Sequence, residues 1–344
     1  MKLKKLTACV LAGAMALSVA FTGCGGSTIN ANAVGATLNG EDISLGLMNF
    51  MARYQQAISD ASYLMYFGTE MWSTEMSEGV TMEDSTKESV VNSIHTAYLL
   101  EEHMKDYGVE VTAEETAAIE AAAKEFMTEN SKKGIEQLGA TEEYVKEMLR
   151  LYTIEQKMYS AIFAASKATV TDEEAAQRTF SYVKVSSTST TDENGNSVEY
   201  TEEEKTELAA VVAEFATTAA EAENFEEAAE TAGYTVSTYS YGADESSMDE
   251  KVIAAADALK EGEVSELITT DKDYYIIRLD SEHDEAKTAE KKASLLTEKK
   301  TEEYNKICEE YRKESEFKLN EENWATVKFD RLFRIATEET TENK

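Results

Sequence analysis

The stretch MDEKVIAAADALKEGEVSELITTDKDYYIIRL, residues 248–279, decides the fold. Val252–Leu259 is short and apolar at helical spacing, which predicts a helix of about two turns. The run Tyr274-Tyr275-Ile276-Ile277-Arg278-Leu279 is aromatic and β-branched, which predicts a strong strand. Upstream, Phe180-Ser181-Tyr182-Val183-Lys184-Val185 alternates as a strand should, and Tyr234–Tyr241 is strand-like. Between them Glu207–Ala232 is helical, and Ser186–Glu204 is polar and carries Asn194-Gly195, the signature of an exposed loop or hairpin. Residues 175–285 therefore read as a compact α+β insert.

The chain on either side of the insert is helical. Val34 to Ile43 predicts two short strands about an Asn39-Gly40 turn. Leu47, Phe50, Met51, Tyr54 and Ile58 then recur at i, i+3, i+4 and should form one buried stripe. Ser85–Tyr107 is a second helix, which Gly108 closes. Thr112-Ala-Glu-Glu115 resembles a capping box, and Thr141-Glu-Glu-Tyr144 and Thr171-Asp-Glu-Glu174 mark two further helix starts. From Ala286 to about Phe317 the chain is a long charged helix, and Trp324–Phe329 is expected to be extended. The fold class expected is α+β: a mostly helical domain built from N- and C-terminal segments, with a small α+β domain inserted. That insert should carry a four-stranded antiparallel sheet with flanking helices.

The N-terminus reads as an address. Lys2, Lys4 and Lys5 precede a run from Leu6 to Phe21 that carries no charge, too short at 16 residues to span a bilayer. Phe21-Thr22-Gly23-Cys24 resembles a bacterial lipobox, with Phe where Leu is usual. The expected organisation is a signal peptide over 1–23 and a lipidated tether over 24–33, with Cys24 acylated. A helical domain over 34–174, the insert over 175–285, and a C-terminal helix and tail over 286–344 packing on the first domain complete it. Two or three acyl chains anchor stably where one alone is marginal. The expected location is the extracytoplasmic face of the cell membrane.

Composition excludes several function classes. Among 344 residues, 33 Lys+Arg stand against 67 Asp+Glu, a formal charge of −34, and such a surface repels phosphate backbones. No nucleic-acid partner is expected. A mean hydropathy of −0.44 is too polar for a multi-spanning membrane protein. Proline is wholly absent, which excludes collagen-like and PxxP segments. With Cys9 in the signal and Cys24 acylated, Cys308 has no partner for an internal disulfide. His95 and His103 lie eight apart on one predicted helix face and read as packed or solvated, not metal-binding; His283 reads as surface. No GxGxxG, P-loop, HExxH or GxSxG motif occurs, so neither cofactor nor metal is expected.

Several blocks, in order, resemble one family: the extracytoplasmic parvulin-type foldases and chaperones of the PrsA/SurA type, with the PpiC peptidyl-prolyl isomerase domain. Val34–Ile43 resembles their opening Val-Ala-x-Val-Asn-Gly-x-x-Ile. Ala255-Ala256-x-x-Leu259-Lys-x-Gly-x-Val-Ser265, Thr269-Thr270 and Tyr274-x-Ile-Ile-Arg-Leu279 follow the last part of a parvulin domain, and Asn224-Phe225-Glu-Glu-Ala-Ala is similar to an internal helix of that domain. The resemblance implies a proline pocket at Tyr182, Met248, Val252 and Tyr275. There the chain departs from the family: the two usual histidines correspond to Tyr182 and Tyr275, and pocket phenylalanines to Val252 and Asp257. The glycine before the Tyr-His pair is Asp273, and only Met248 is retained.

Prolyl isomerisation is non-covalent, with a barrier of about 18–20 kcal/mol for an ordinary peptide bond. A catalyst must bind the twisted amide better than either planar form, in a dry apolar cradle with placed donors. The changes dismantle much of that cradle. The resemblance then implies a membrane-anchored chaperone for unfolded or newly exported polypeptides. The alternative is an active isomerase with a tyrosine-substituted pocket. A solute-binding lipoprotein is a third reading, disfavoured because it needs alternating α/β lobes.

Overall fold

The computed structural model describes residues 29–192, 195–242 and 247–333. The expected signal peptide and Cys24 lie outside the described residues. The described residues form two compact units: those of 29–166 with 301–333, and those of 167–300.

In the first unit β1 (Val34–Leu38) and β2 (Glu41–Ser44) pair antiparallel across the two-residue turn. Asn39 and Gly40 both take positive φ, 49° and 90°, as a hairpin turn of this length requires. Ser44 caps α1 (Leu45–Phe67) by accepting from Leu47 N. Residues 29–33, the described end of the expected tether, are tied down: the Ala33 and Ala31 carbonyls accept from Leu45 N and Gly46 N. Those are first-turn amides that a helix cannot satisfy itself. The hairpin β3 (Glu75–Ser77) and β4 (Val80–Thr81) leads into α2 (Met82–Glu102), which starts earlier than the sequence suggests because Thr81 and Asp84 form a capping box. Then come α3 (Ala113–Glu129), boxed by Thr112 and Glu115, α4 (Lys132–Leu138), and α5 (Glu142–Ala165), capped by Thr141.

The second unit opens with the single turn α6 (Asp172–Ala175) and runs through β5 (Arg178–Ser186) into a hairpin of β6 (Ser189–Thr191) and β7 (Ser197–Glu199). The expected helix over Glu207–Ala232 is two helices, α7 (Glu202–Glu221) and α8 (Phe225–Thr231), because the Asn224 side chain accepts from Glu226 N and Glu227 N and starts a new one. After them come β8 (Val236–Tyr241), α9 (Glu250–Ala258), β9 (Ile268–Thr269) and β10 (Asp273–Ser281). The sheet is four-stranded and antiparallel, in the order β8-β5-β10-β9.

Both faces of this sheet are covered, which is why β10 reads as continuous Tyr-Tyr-Ile-Ile instead of alternating with polar residues. Val183, Tyr274 and Ile276 pack with Val212, Phe215 and Phe225 of α7 and α8. Phe180, Tyr275, Ile277 and Leu279 pack with Val252 and Ala256 of α9. The long helix α10 (Glu285–Glu314) begins in this unit, where Lys292 and Lys299 pair with Asp172 and Glu174.

Beyond it, β11 (Phe317–Leu319) adds to β1 and completes a three-stranded sheet, β11-β1-β2. The C-terminal segment thus belongs structurally to the N-terminal helices. Trp324 ends a one-turn helix, α11 (Glu321–Trp324), and not the extended run expected from the sequence. Residues 327–333 follow without regular structure, burying Val327, Phe329 and Phe333 in the core of the first unit. Buried polar side chains read this stretch by its backbone. Arg53 donates to Lys328 O at 2.6 Å, Lys87 to Val327 O at 2.7 Å, and Gln56 to Arg331 O at 2.8 Å. Asp60 accepts from Phe333 N at 2.8 Å and from Trp72 Nε1 at 2.8 Å. Among the described residues, no helix is long and apolar enough to cross a membrane.

Candidate functional site

Side chains two apart on a strand share a face. On one face of the second unit's sheet, β5 contributes Phe180 and Tyr182, β10 contributes Tyr275 and Ile277, and β8 contributes Tyr239 and Tyr241. Register sets Tyr182 opposite Ile277 and Tyr275 opposite Lys184, so the two tyrosines are diagonal neighbours. Their ring centroids lie 5.9 Å apart, inclined at 42°. Phe180 touches Tyr182, Tyr239 and Tyr241 at 6.0, 5.6 and 5.8 Å, extending the aromatic row across three strands. Val252 and Met248 pack on the same cluster. All four residues proposed from the sequence are therefore together, with Val252 and Tyr275 buried and Tyr182 and Met248 half-buried.

The polar groups around this face are fixed by one another. Lys184 Nζ pairs with Asp273 at 3.0 Å and lies 5.8 Å above the Tyr275 ring. Hydrogen bonding to Asp273 pushes Lys184 up, and burial pushes the Tyr275 hydroxyl up. Tyr275 therefore stays protonated at neutral pH and can donate. Asp257, where the resemblance places a phenylalanine, accepts from Tyr241 Oη at 2.7 Å and faces Arg178 Nε at 3.7 Å. Burial first, and then this carboxylate, push Tyr241 up to about 12. The described side chains of this face offer apolar contact and hydroxyl donation.

Residues 189–293 match the PPIC-type PPIase domain family. The second unit carries a PPIC-type domain. Met248, Val252, Asp257, Asp273 and Tyr275 fall within the matched range of this domain, and Tyr182 lies before it. The family reached from the sequence is the one matched. Among solved structures, the chain is similar to the foldase protein PrsA from Lactococcus lactis, with 16% identity, 86% of this chain and 97% of that chain covered, and a TM-score of 0.35. It is also similar to PrsA, a peptidylprolyl isomerase, from Bacillus cereus: 20% identity, 72% and 93% covered, TM-score 0.29. For the SurA-like chaperones of Campylobacter jejuni the figures are 9%, 84% and 99%, and 0.31. No curated protein matches the chain.

The sequence reading missed Tyr239 and Tyr241, whose two-residue spacing in Thr-Tyr-Ser-Tyr was the available signal. It also missed a feature of the first unit. Tyr63, Tyr66 and Phe67 repeat at i, i+3, i+4 near the end of α1, about 100–200° around the helix from the Leu47–Ile58 stripe, and they are exposed, at 52%, 79% and 61%, with Met65 at 91% beside them. Further along the same stretch, Met76 and Val80 of the β3–β4 hairpin are exposed too. The remaining candidates are structural. His95 stacks on Phe317 and bonds Ser315 Oγ at 2.9 Å, and burial pushes it down. His103 stacks on Tyr311, Cys308 is free and buried, and no metal-binding group of side chains occurs among the described residues.

Proposed function

We propose that this protein is a lipid-anchored, extracytoplasmic foldase of the PrsA/SurA type that holds unfolded, newly exported polypeptides, and that its PPIC-type domain binds without appreciable catalysis. The observation that carries the holding activity is the exposed row Tyr63, Met65, Tyr66 and Phe67 at the end of α1. Contiguous exposed aromatic and methionine side chains are costly in a soluble domain and mark contact surfaces. The loss of catalysis rests on Tyr182 and Tyr275 standing ring to ring in the proposed cradle, with Val252 sealed beneath it. The anchor rests on the sequence before Cys24.

The test is suppression of aggregation of a urea-unfolded client by the full chain and by a Tyr66→Ser/Phe67→Ser variant. The wild type should keep the client soluble at near-stoichiometric ratios, and the variant should need several-fold more protein. Equal performance of the two would remove the patch from the account.

A further inference from the structure

The surface around this exposed row also has a charge character. Between Arg53 and Lys87 the chain carries no Lys, Arg or His, but it carries Asp60, Glu70, Glu75, Glu78, Glu83 and Asp84. Asp60 is buried, Glu83 bonds Phe329 N and pairs with Lys87, and Asp84 is taken up in the Thr81 capping box. Glu70, Glu75 and Glu78 are exposed, and none is in an ion pair among the described residues. The last turn of α1 contains no basic residue either, so the partial negative charge at a helix C-terminus is uncompensated where Tyr66 and Phe67 project. The faces of three exposed aromatic rings add a further preference for cations.

From this we infer that the row selects extended polypeptide segments whose aromatic or aliphatic core is flanked by Lys or Arg. The inference rests on the holding activity proposed above and names its client chemistry. Three sources of negative potential fall within residues 54–86, the segment that carries the exposed side chains, and none of them favours an acidic or neutral flank. A second copy of this chain is a poor occupant, since each copy carries a formal charge of −34. An anionic lipid surface is repelled for the same reason. Because the carboxylates are exposed, the preference must weaken as salt screens them, over about 8–10 Å at physiological ionic strength.

The test uses the full chain and three labelled peptides sharing one Leu/Phe core, flanked by Lys, Ser or Glu, titrated by fluorescence anisotropy. At low salt the Lys-flanked peptide should bind at least tenfold tighter than the Glu-flanked one, a difference of about 1.4 kcal/mol, and 0.5 M NaCl should close most of the gap. Glu70→Gln/Glu75→Gln/Glu78→Gln should cut the preference to threefold or less. The same exchange at Glu226, Glu227 and Glu230, in the other unit, should leave it intact; equal effects of the two triple variants would overturn the assignment to this row. Equal affinities for all three peptides, with aggregation of an unfolded client still suppressed, would overturn the selectivity and leave the holding activity standing. No peptide binding and no suppression would overturn the holding activity itself.

Discussion

Tyr182 and Tyr275 stand ring to ring on adjacent antiparallel strands, 5.9 Å between centroids, at the positions where the family resemblance places two facing histidines. Two imidazoles would offer small polar heads to a twisted amide. Two phenol rings fill the same space with apolar surface and place their hydroxyls farther from the strands. The ring N–H donors that two imidazoles would place at the amide are absent.

If the loss of the two imidazoles is decisive, the protein should accelerate cis–trans exchange of a short X-Pro peptide less than about tenfold, which corresponds to under about 1.4 kcal/mol of selective transition-state binding. Exchange NMR on wild type and Tyr182→Phe/Tyr275→Phe should give equal, near-background rates. Strong catalysis by the wild type, abolished when the hydroxyls are removed, would establish a tyrosine-based isomerase instead.

A second prediction concerns the C-terminal clasp. Asp60 is raised from 3.8 to about 6, burial outweighing the hydrogen bonds from Phe333 N and Trp72 and the attraction of Arg53. The folded state therefore binds the extra proton between those two values, and the stability this site contributes is lost as pH rises through about 6. Asp60→Asn should flatten the fall in stability between pH 4 and 7 by up to about 3 kcal/mol relative to wild type. Urea melts across that range measure it, and parallel pH profiles for the two proteins would contradict it.

The inserted sheet was legible because it is buried on both faces, so the apolar run of β10 and the alternation of β5 reach the surface of the sequence directly. The candidate pocket was legible only in part. Tyr182 and Tyr275 could be paired through family resemblance, whereas the spacing of Tyr239 and Tyr241 shows only that they share a face, and seating them beside Phe180 requires the β8–β5 register, which no local pattern carries. The clasp was hidden for a different reason. Arg53, Gln56 and Lys87 look like ordinary solvent-facing positions of amphipathic helices, and only the fold reveals that their donors end on backbone carbonyls of residues 327–331. Tyr63, Tyr66 and Phe67 were hidden because they lie off the Leu47–Ile58 stripe, and apolar spacing alone does not tell a helix face that packs from one that stays open.

The anchor is tested at one atom. Mass spectrometry of the membrane-bound wild-type protein should find diacylated or triacylated Cys24 at the mature N-terminus, and Cys24→Ala should yield an unprocessed or released chain. An unmodified Cys24 on the mature protein would remove the lipid anchor.

The central claim is that client holding belongs to the helical unit and not to the PPIC-type domain. Its most direct measurement replaces residues 175–285 with a short linker and follows light scattering of an unfolded client in the presence of the shortened chain, with circular dichroism to show that the helices are intact. The account predicts that the shortened chain retains most of the wild-type suppression and loses it on Tyr66→Ser/Phe67→Ser. A shortened chain that is folded yet leaves the client to aggregate would contradict it.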